Sequence, residues 1–208
     1  MFAEVKQADN YATGLSQLVE IERHRGLGNE FHPPVLEWLN ANPQSGPTLV
    51  FDIMRIEQRM QWLSELAGLL SVSALMAVKS CPDPRYLGAA YKHLDGFDIS
   101  NSAEYACLPE NLEGKLVSVT SPALNLDINS FVAKGNTAVI TLDSHTQLEH
   151  YFSHKPRIPY LLRVQGSDLL EEADPSHYAR IRFGFTLDEV RQLVQQPQLR
   201  ENPPAGFH

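Results

Sequence analysis

The chain predicts an α/β fold built on a parallel sheet, and three features carry that prediction. Short apolar runs recur through residues 47–208, and each is followed by a longer amphipathic stretch. The runs are apolar throughout rather than alternating, as strands covered on both faces are. With 208 residues and 43% hydrophobic content, the chain has the apolar material for a sizeable core. Six strand–helix units in one run favour a barrel over a three-layer sandwich. A full (β/α)8 barrel needs eight strands and about 250 residues, so the expected fold is an incomplete (β/α)8 TIM-type barrel.

Residues 1–46 stand apart as a helical N-terminal extension. They hold a helix from Thr13 to Arg23, a glycine-rich break at Gly26–Gly28, and a short helix from about Pro34 to Asn40. Asn42–Pro47 reads as a linker by its turn residues. The barrel portion, 47–208, opens with a strand at Thr48–Asp52. Ile56, Met60, Leu63, Leu66, Ala67 and Leu70 then recur at helical spacing. Val72–Val78 is the second strand, with a helix from Pro84 to Leu94. Gly96–Ile99 is the third, with a helix from Ser102 to about Leu108. Leu116–Thr120 precedes a helix from about Leu126 to Lys134. Thr137–Thr141 precedes Ser144–Phe152, and Tyr160–Val164 precedes Leu187–Val194. Pro204–His208 opens a further strand.

Charge and composition exclude several classes of function. Seventeen Lys and Arg against 25 Asp and Glu give a net charge of −8. Phosphate neutralisation needs dense positive charge, so nucleic acid is not an expected partner. No apolar run approaches the roughly 20 residues of a membrane span. The opening residues lack an apolar core of the signal-peptide type, and a cytoplasmic protein is expected. Cys81 and Cys107 cannot supply a disulfide framework or a four-ligand zinc set, the eight histidines are read as forming no His-x-x-x-His zinc pattern, and no metal ligand is assigned.

Parallel α/β folds place their chemistry at the C-terminal ends of strands. Those ends carry Asp52, Lys79-Ser80-Cys81, Asp98 to Glu104, Thr120-Ser121-Pro122, Asp143-Ser144 and Arg163. Lys79 follows the apolar run Ala74–Val78. A lysine desolvated there loses pKa and becomes a usable amine nucleophile for a Schiff base. On position alone, a solvated lysine opening a loop is the commoner arrangement.

The surroundings of Lys79 add to this. Ala77-Val-Lys-Ser-Cys-Pro82 resembles the pyridoxal phosphate lysine motif, Ala-Val-Lys-Ala-Asn, of the fold-type III amino-acid decarboxylases. This is the ornithine, diaminopimelate and arginine decarboxylase group, whose barrel is shared with alanine racemase. Thr48–Ile53 resembles its first strand, and Gly96–Glu104 its Gly-Phe-Asp-Val-Ala-Ser-x-x-Glu stretch. Leu142-Asp-Ser144 with Leu148-Glu149 is similar to Val-Asp-Ser-x-x-Glu-Leu-Glu. Pro159–Val164 is similar to the strand bearing the cofactor-side arginine. Arg182–Phe185 resembles Lys-Phe-Gly-Ile, and Ala205–His208 the opening of Gly-Leu-His-Phe-His. The matches run in the family's order from about Pro47 to His208.

The resemblance implies pyridoxal 5'-phosphate as cofactor, with Lys79 as its covalent anchor and Asp98, Glu104, Arg163 and His208 around it. Glu104 would face the pyridine nitrogen and keep it protonated, and Arg163 would sit near the phenolic oxygen. Read without the family, Asp98 is a cap for the helix beginning near Ser102, and Glu104 lies on that helix's solvated face. Arg163 would form a salt bridge to Asp143 or Glu104. Arg182 resembles a dimer-interface residue and is left out of the site.

Departures are equally informative. Ser80 and Cys81 replace the family's Ala-Asn, and Ser121-Pro-Ala-Leu124 lacks the lysine of its Gly-Pro-x-Lys. By the resemblance, His208 is the first histidine of its motif. The stacking histidine, the phosphate loop and the C-terminal β domain would come from a second chain or the rest of a longer parent. The expected activity is decarboxylation of a basic or dibasic amino acid, in a dimer or hetero-oligomer. The alternative is a non-catalytic barrel subunit that stabilises a decarboxylase partner. A pyridoxal phosphate racemase or carrier is a third reading, and fits the Gly96–Glu104 stretch less well.

Overall fold

The computed structural model describes residues 32–43, 46–48, 50–122, 128–154, 158–165 and 183–208. The helix expected at Thr13–Arg23, the break at Gly26–Gly28, and Arg182 lie outside the described residues. Two compact units are formed. One holds the described residues up to Met76 with Asp83–Gly96, the other Ala77–Pro82 with Phe97–His208.

In the first unit, helix α1 (Pro33–Ala41) starts on two prolines, whose fixed φ suits the first turn. Helix α2 (Ile53–Leu70) follows, and α3 (Pro84–His93) packs against it. Lys92 and Glu57 bridge the pair at 2.8 Å. Helix α2 ends at Ser71, whose φ of 53° is the left-handed conformation that terminates helices. The strand expected at Thr48–Asp52 is not formed, since none of its described residues is extended into a ladder. Asp52 shows why. Its carboxylate accepts the Arg55 N–H at 3.0 Å as the N-cap of α2, and the His32 N–H at 2.8 Å. The His32 ring closes on both carboxylate oxygens, at 2.9 and 3.0 Å. One carboxylate thus begins α2 and ties down the entry to α1.

The strands form one parallel sheet in simple sequence order, β1 (Leu75–Ala77), β2 (Gly96–Ile99), β3 (Leu116–Thr120), β4 (Thr137–Leu142), β5 (Tyr160–Leu162) and β6 (Gly206–Phe207). The further strand expected near the last residues is therefore present as β6, while the one at Thr48 is not. Helices α4 (Ser102–Cys107), α5 (His145–His154), α6 (Leu187–Leu193) and α7 (Pro197–Glu201) belong to the second unit. The helix expected at Leu126–Lys134 is a 3-10 turn at Ile128–Val132 among the described residues.

Register explains how these strands pack. Val117 and Val119 of β3 pair with Ala138 and Ile140 of β4, and Ile140 and Leu142 pair with Tyr160 and Leu162 of β5. Because neighbours in register point to one side, these residues share a face, and all are buried. The opposite face carries Ser118, Thr120, Val139, Thr141 and Leu161, and is half-buried apart from Thr141. This face is the more polar and the more open of the two. Buried polar groups brace the other, buried face: the Tyr105 hydroxyl donates to Asn136 at 2.9 Å, and that of Tyr160 to the Asn202 carbonyl at 2.7 Å. Burial, with Tyr151 beside it, pushes the Tyr160 phenol up to about 12.

The shared role of Asp52 is testable by unfolding. The cap and its N–H donors hold its carboxyl below the usual value, against the opposing effect of burial. Its contribution to stability is therefore present above the unfolded value near 3.8 and lost as pH falls through the folded one. Asp52→Ala should cost about 1–2 kcal/mol in urea unfolding at neutral pH, and Asp52→Asn clearly less.

Candidate active site

Three side chains line up across the C-terminal ends of β4, β5 and β6. The Leu142–Leu162 and Leu162–Phe207 pairs set the register, and the next step brings Asp143, Arg163 and His208 abreast. Backbone bonds carry the ladder that far: Arg163 N–H to the Leu142 carbonyl at 2.9 Å, His208 N–H to Leu162 at 3.0 Å, and Val164 N–H to His208 at 2.8 Å. All three continue the open, polar face of the sheet. Arg163 and His208 were expected in the site. In the sequence reading Asp143 is a strand-end residue and an ion-pair partner for Arg163, outside the cofactor set.

Local structure fixes this row. Gln147 is buried, donating through Nε2 to the Ser121 carbonyl at 2.8 Å and accepting the Asp143 N–H at 3.0 Å. It thereby clamps the ends of β3 and β4 together. Beyond the end of β4, Phe185 takes over as the neighbour of β5. Its N–H donates to the Arg163 carbonyl at 2.7 Å, and its carbonyl accepts the Gln165 N–H at 2.9 Å. Gly184, at φ +89°, permits the approach. A Cβ there would lie 2.9 Å from the Arg163 carbonyl oxygen. The Arg163 guanidinium sits over the Phe183 ring, 5.1 Å from its centroid. Burial pushes the Asp143 carboxyl up, against the pull of Arg163 and a hydrogen bond from Ser144.

The other expected residues occupy other strand ends. Lys79 stands on a 3-10 turn, Val78–Ser80, directly after β1, and is exposed. Its desolvation is therefore absent in the chain by itself, and no described residue bonds or ion-pairs its ammonium. Asp98 lies in β2 between buried Phe97 and Ile99, on the opposite face from both. It does not cap the following helix. Asn101 does, accepting the Glu104 N–H at 2.9 Å. Glu104 is part of the same arrangement, its oxygens accepting from the Ser100 N–H at 2.8 Å and the Asn101 amide at 2.9 Å. Its lone pairs are not exhausted by these two bonds, so a capped Glu104 can still accept a further donor.

Lys79 follows β1 and Arg163 follows β5, four strand spacings apart in the sheet order. Along the sheet that is about 19 Å at ~4.8 Å per strand. A single small ligand can meet both only where the sheet curls, as in a barrel.

No family model matches the sequence, and no curated protein matches it. Among solved structures, the chain is similar to the carboxynorspermidine decarboxylase of Campylobacter jejuni, crystallised with norspermidine. The TM-score is 0.56 at 17% identity, over 74% of this chain and 38% of that one. The likeness shows the α/β fold alone, and the chain spans well under half the length of that protein. Closure of the barrel is not seen, since β1 and β6 end the strand order.

Two kinds of residue escape the sequence reading. Gln147 has no signal beyond its place one turn into a helix. His150 and His154 correct the expectation that the histidines form no His-x-x-x-His pattern: they stand four apart on α5, a spacing that the sequence itself displays. Among the described residues no group of three or more His, Cys, Asp or Glu side chains converges on a metal position.

The geometry around Arg163 makes two predictions. Gly184→Ala should destabilise the protein by about 1–3 kcal/mol in denaturant unfolding, through strain at a positive φ and contact with the Arg163 backbone. Arg163→Gln should raise the Asp143 pKa further, because the charge attraction that opposes burial is removed; a carboxyl NMR titration reads this directly.

Proposed function

We propose that this chain supplies the lysine-bearing part of a pyridoxal phosphate-dependent decarboxylase acting on a basic or dibasic amino acid. The observation that carries the reading is a decarboxylase-like fold whose open, polar sheet face ends in Asp143, Arg163 and His208. Lys79 and Asp98 stand at the ends of the first two strands of the same sheet, their side chains unengaged by any described residue.

The donor types fit the aldehyde, phenolic oxygen and ring nitrogen of the cofactor, while its phosphate is left to the completing protein. Lys79 offers a primary amine for its aldehyde, Arg163 a fixed cation for its phenolic oxygen, and Glu104 a carboxylate for its ring nitrogen. When bound, the cofactor supplies the electron sink for the charge left by loss of a carboxylate. The chain's own residues do the positioning. Phe183 and the Gly184–Phe185 backbone hold Arg163 in place, and the cap at Asn101 fixes the Glu104 carboxylate. Completion of the barrel by further protein would curl the sheet, bury Lys79 and bring the two ends of the strand row within reach of one ligand. We assign that role to a complementary chain or to further sequence of the same protein, giving a dimer or hetero-oligomer, and place the protein in the cytoplasm.

A second reading, a barrel subunit that stabilises a decarboxylase partner without catalysis, is favoured by the exposed Lys79 and by the structural use of both Glu104 oxygens. Borohydride reduction in the presence of pyridoxal phosphate, followed by peptide mapping, separates the two. The catalytic reading expects the pyridoxyl group on Lys79 and its loss in Lys79→Ala. Label distributed over other lysines, or none in the completed complex, would leave the scaffold reading.

Partnership has its own physical basis. β6 is an end strand of the sheet and its Phe207 is 60% exposed. A parallel strand without a neighbour forgoes a row of bonds worth about 1 kcal/mol each. The chain alone should therefore aggregate or unfold readily, and become soluble when co-expressed with a chain that completes the barrel. Light scattering showing a stable, cofactor-loaded monomer would overturn this.

A further inference from the structure

We infer that His150 and His154 form an open, two-imidazole site for a d-block cation of the zinc or copper(II) type at the last turn of α5. Residues four apart on a helix are stacked neighbours, and these two rings lie 4.1 Å apart between centroids, tilted by 42°. The site is independent of the proposed decarboxylase function. It sits at the opposite end of α5 from Asp143 and Ser144, about 15 Å along a ten-residue helix at 1.5 Å per residue.

Hydrogen bonding sets the tautomer of one ligand. His154 Nδ1 lies 2.9 Å from the His150 carbonyl oxygen, which can only accept, so Nδ1 carries the proton. Ser153 Oγ, 3.0 Å away, is oriented by its own bond to the same carbonyl at 2.8 Å. The lone pair of His154 is thereby placed on Nε2, on an exposed side chain. A backbone carbonyl holding the far nitrogen is the usual outer support of a metal-bound histidine.

The second ligand provides an independent observation. His150 Nε2 is buried and has no hydrogen-bond partner among the described residues. A buried ring nitrogen of this kind is satisfied by a water or by a bound ion. Neutral imidazoles suit zinc and copper(II), whereas calcium and magnesium require oxygen donors. Two protein ligands leave positions for water, so affinity should follow the intrinsic order, with copper(II) above zinc.

The test is calorimetric titration of the chelator-treated full-length chain, alone or with the partner that completes the sheet, using zinc chloride and copper(II) chloride separately. One site per chain is expected, with a copper(II) paramagnetic resonance spectrum showing two coupled nitrogens. His150→Ala and His154→Ala should each weaken binding by at least the ~10-fold typical of losing an outer-shell partner. His145→Ala, at the far end of the helix, should leave it unchanged, and circular dichroism checks that each variant is folded. His154 is exposed, so its variant tests the ligand role even if His150→Ala fails to fold. Absence of a site in the folded wild type would overturn the proposal. So would equal binding in His154→Ala, or the same loss in His145→Ala.

Discussion

The second unit depends on one buried sheet face, where Val119, Ile140, Leu142 and Leu162 stand side by side in register. Burial of apolar side chains at about 25 cal/mol per Å2 fixes which way each strand faces, because a slip of one residue would turn this set toward solvent. Everything on the other face follows from it. Thr120 and Thr141 alternate with the core residues, and Asp143, Arg163 and His208 continue that alternation beyond the strands. The chemistry-bearing row is a consequence of core packing rather than a separate construction.

Strand ends in this protein combine support and display. Gln147 ties β3 to β4, Phe185 extends the ladder of β5 past the end of β4, and Asn101 with Glu104 closes the first turn of α4. Each satisfies backbone groups that parallel strands and short helices leave open. The same contacts orient the carboxylates and the guanidinium that face the open side. A structural role for Glu104 is therefore compatible with its proposed use toward a ring nitrogen.

The run Leu49-Val-Phe51 shows how a correct physical rule can select the wrong element. Three apolar residues bounded by turn residues read as a buried strand, but Val50 and Phe51 are only half-buried. Asp52 decides the matter by accepting N–H groups from both His32 and Arg55. His32 is twenty residues away, and no local pattern announces the contact. Capping residues announce themselves more readily where both partners are close in sequence, as at Thr186 and Glu189, where the box is complete.

By itself the sequence determined the alternation of strands and helices, because period and apolar content are local properties. Gly96–Ile99 and Leu116–Thr120 form as read, and the strands beginning at Thr137 and Tyr160 differ only at their ends. It also determined that Arg163 lies at a strand end. Tertiary structure decided which face each end presents, that Asp143 stands abreast of Arg163, and that Lys79 is exposed on a tight turn. Those outcomes rest on register, on a glycine that lets Phe185 approach β5, and on hydrogen bonds between residues far apart in the chain. Such contacts depend on where strands meet in space, and residue spacing along the chain carries no record of that.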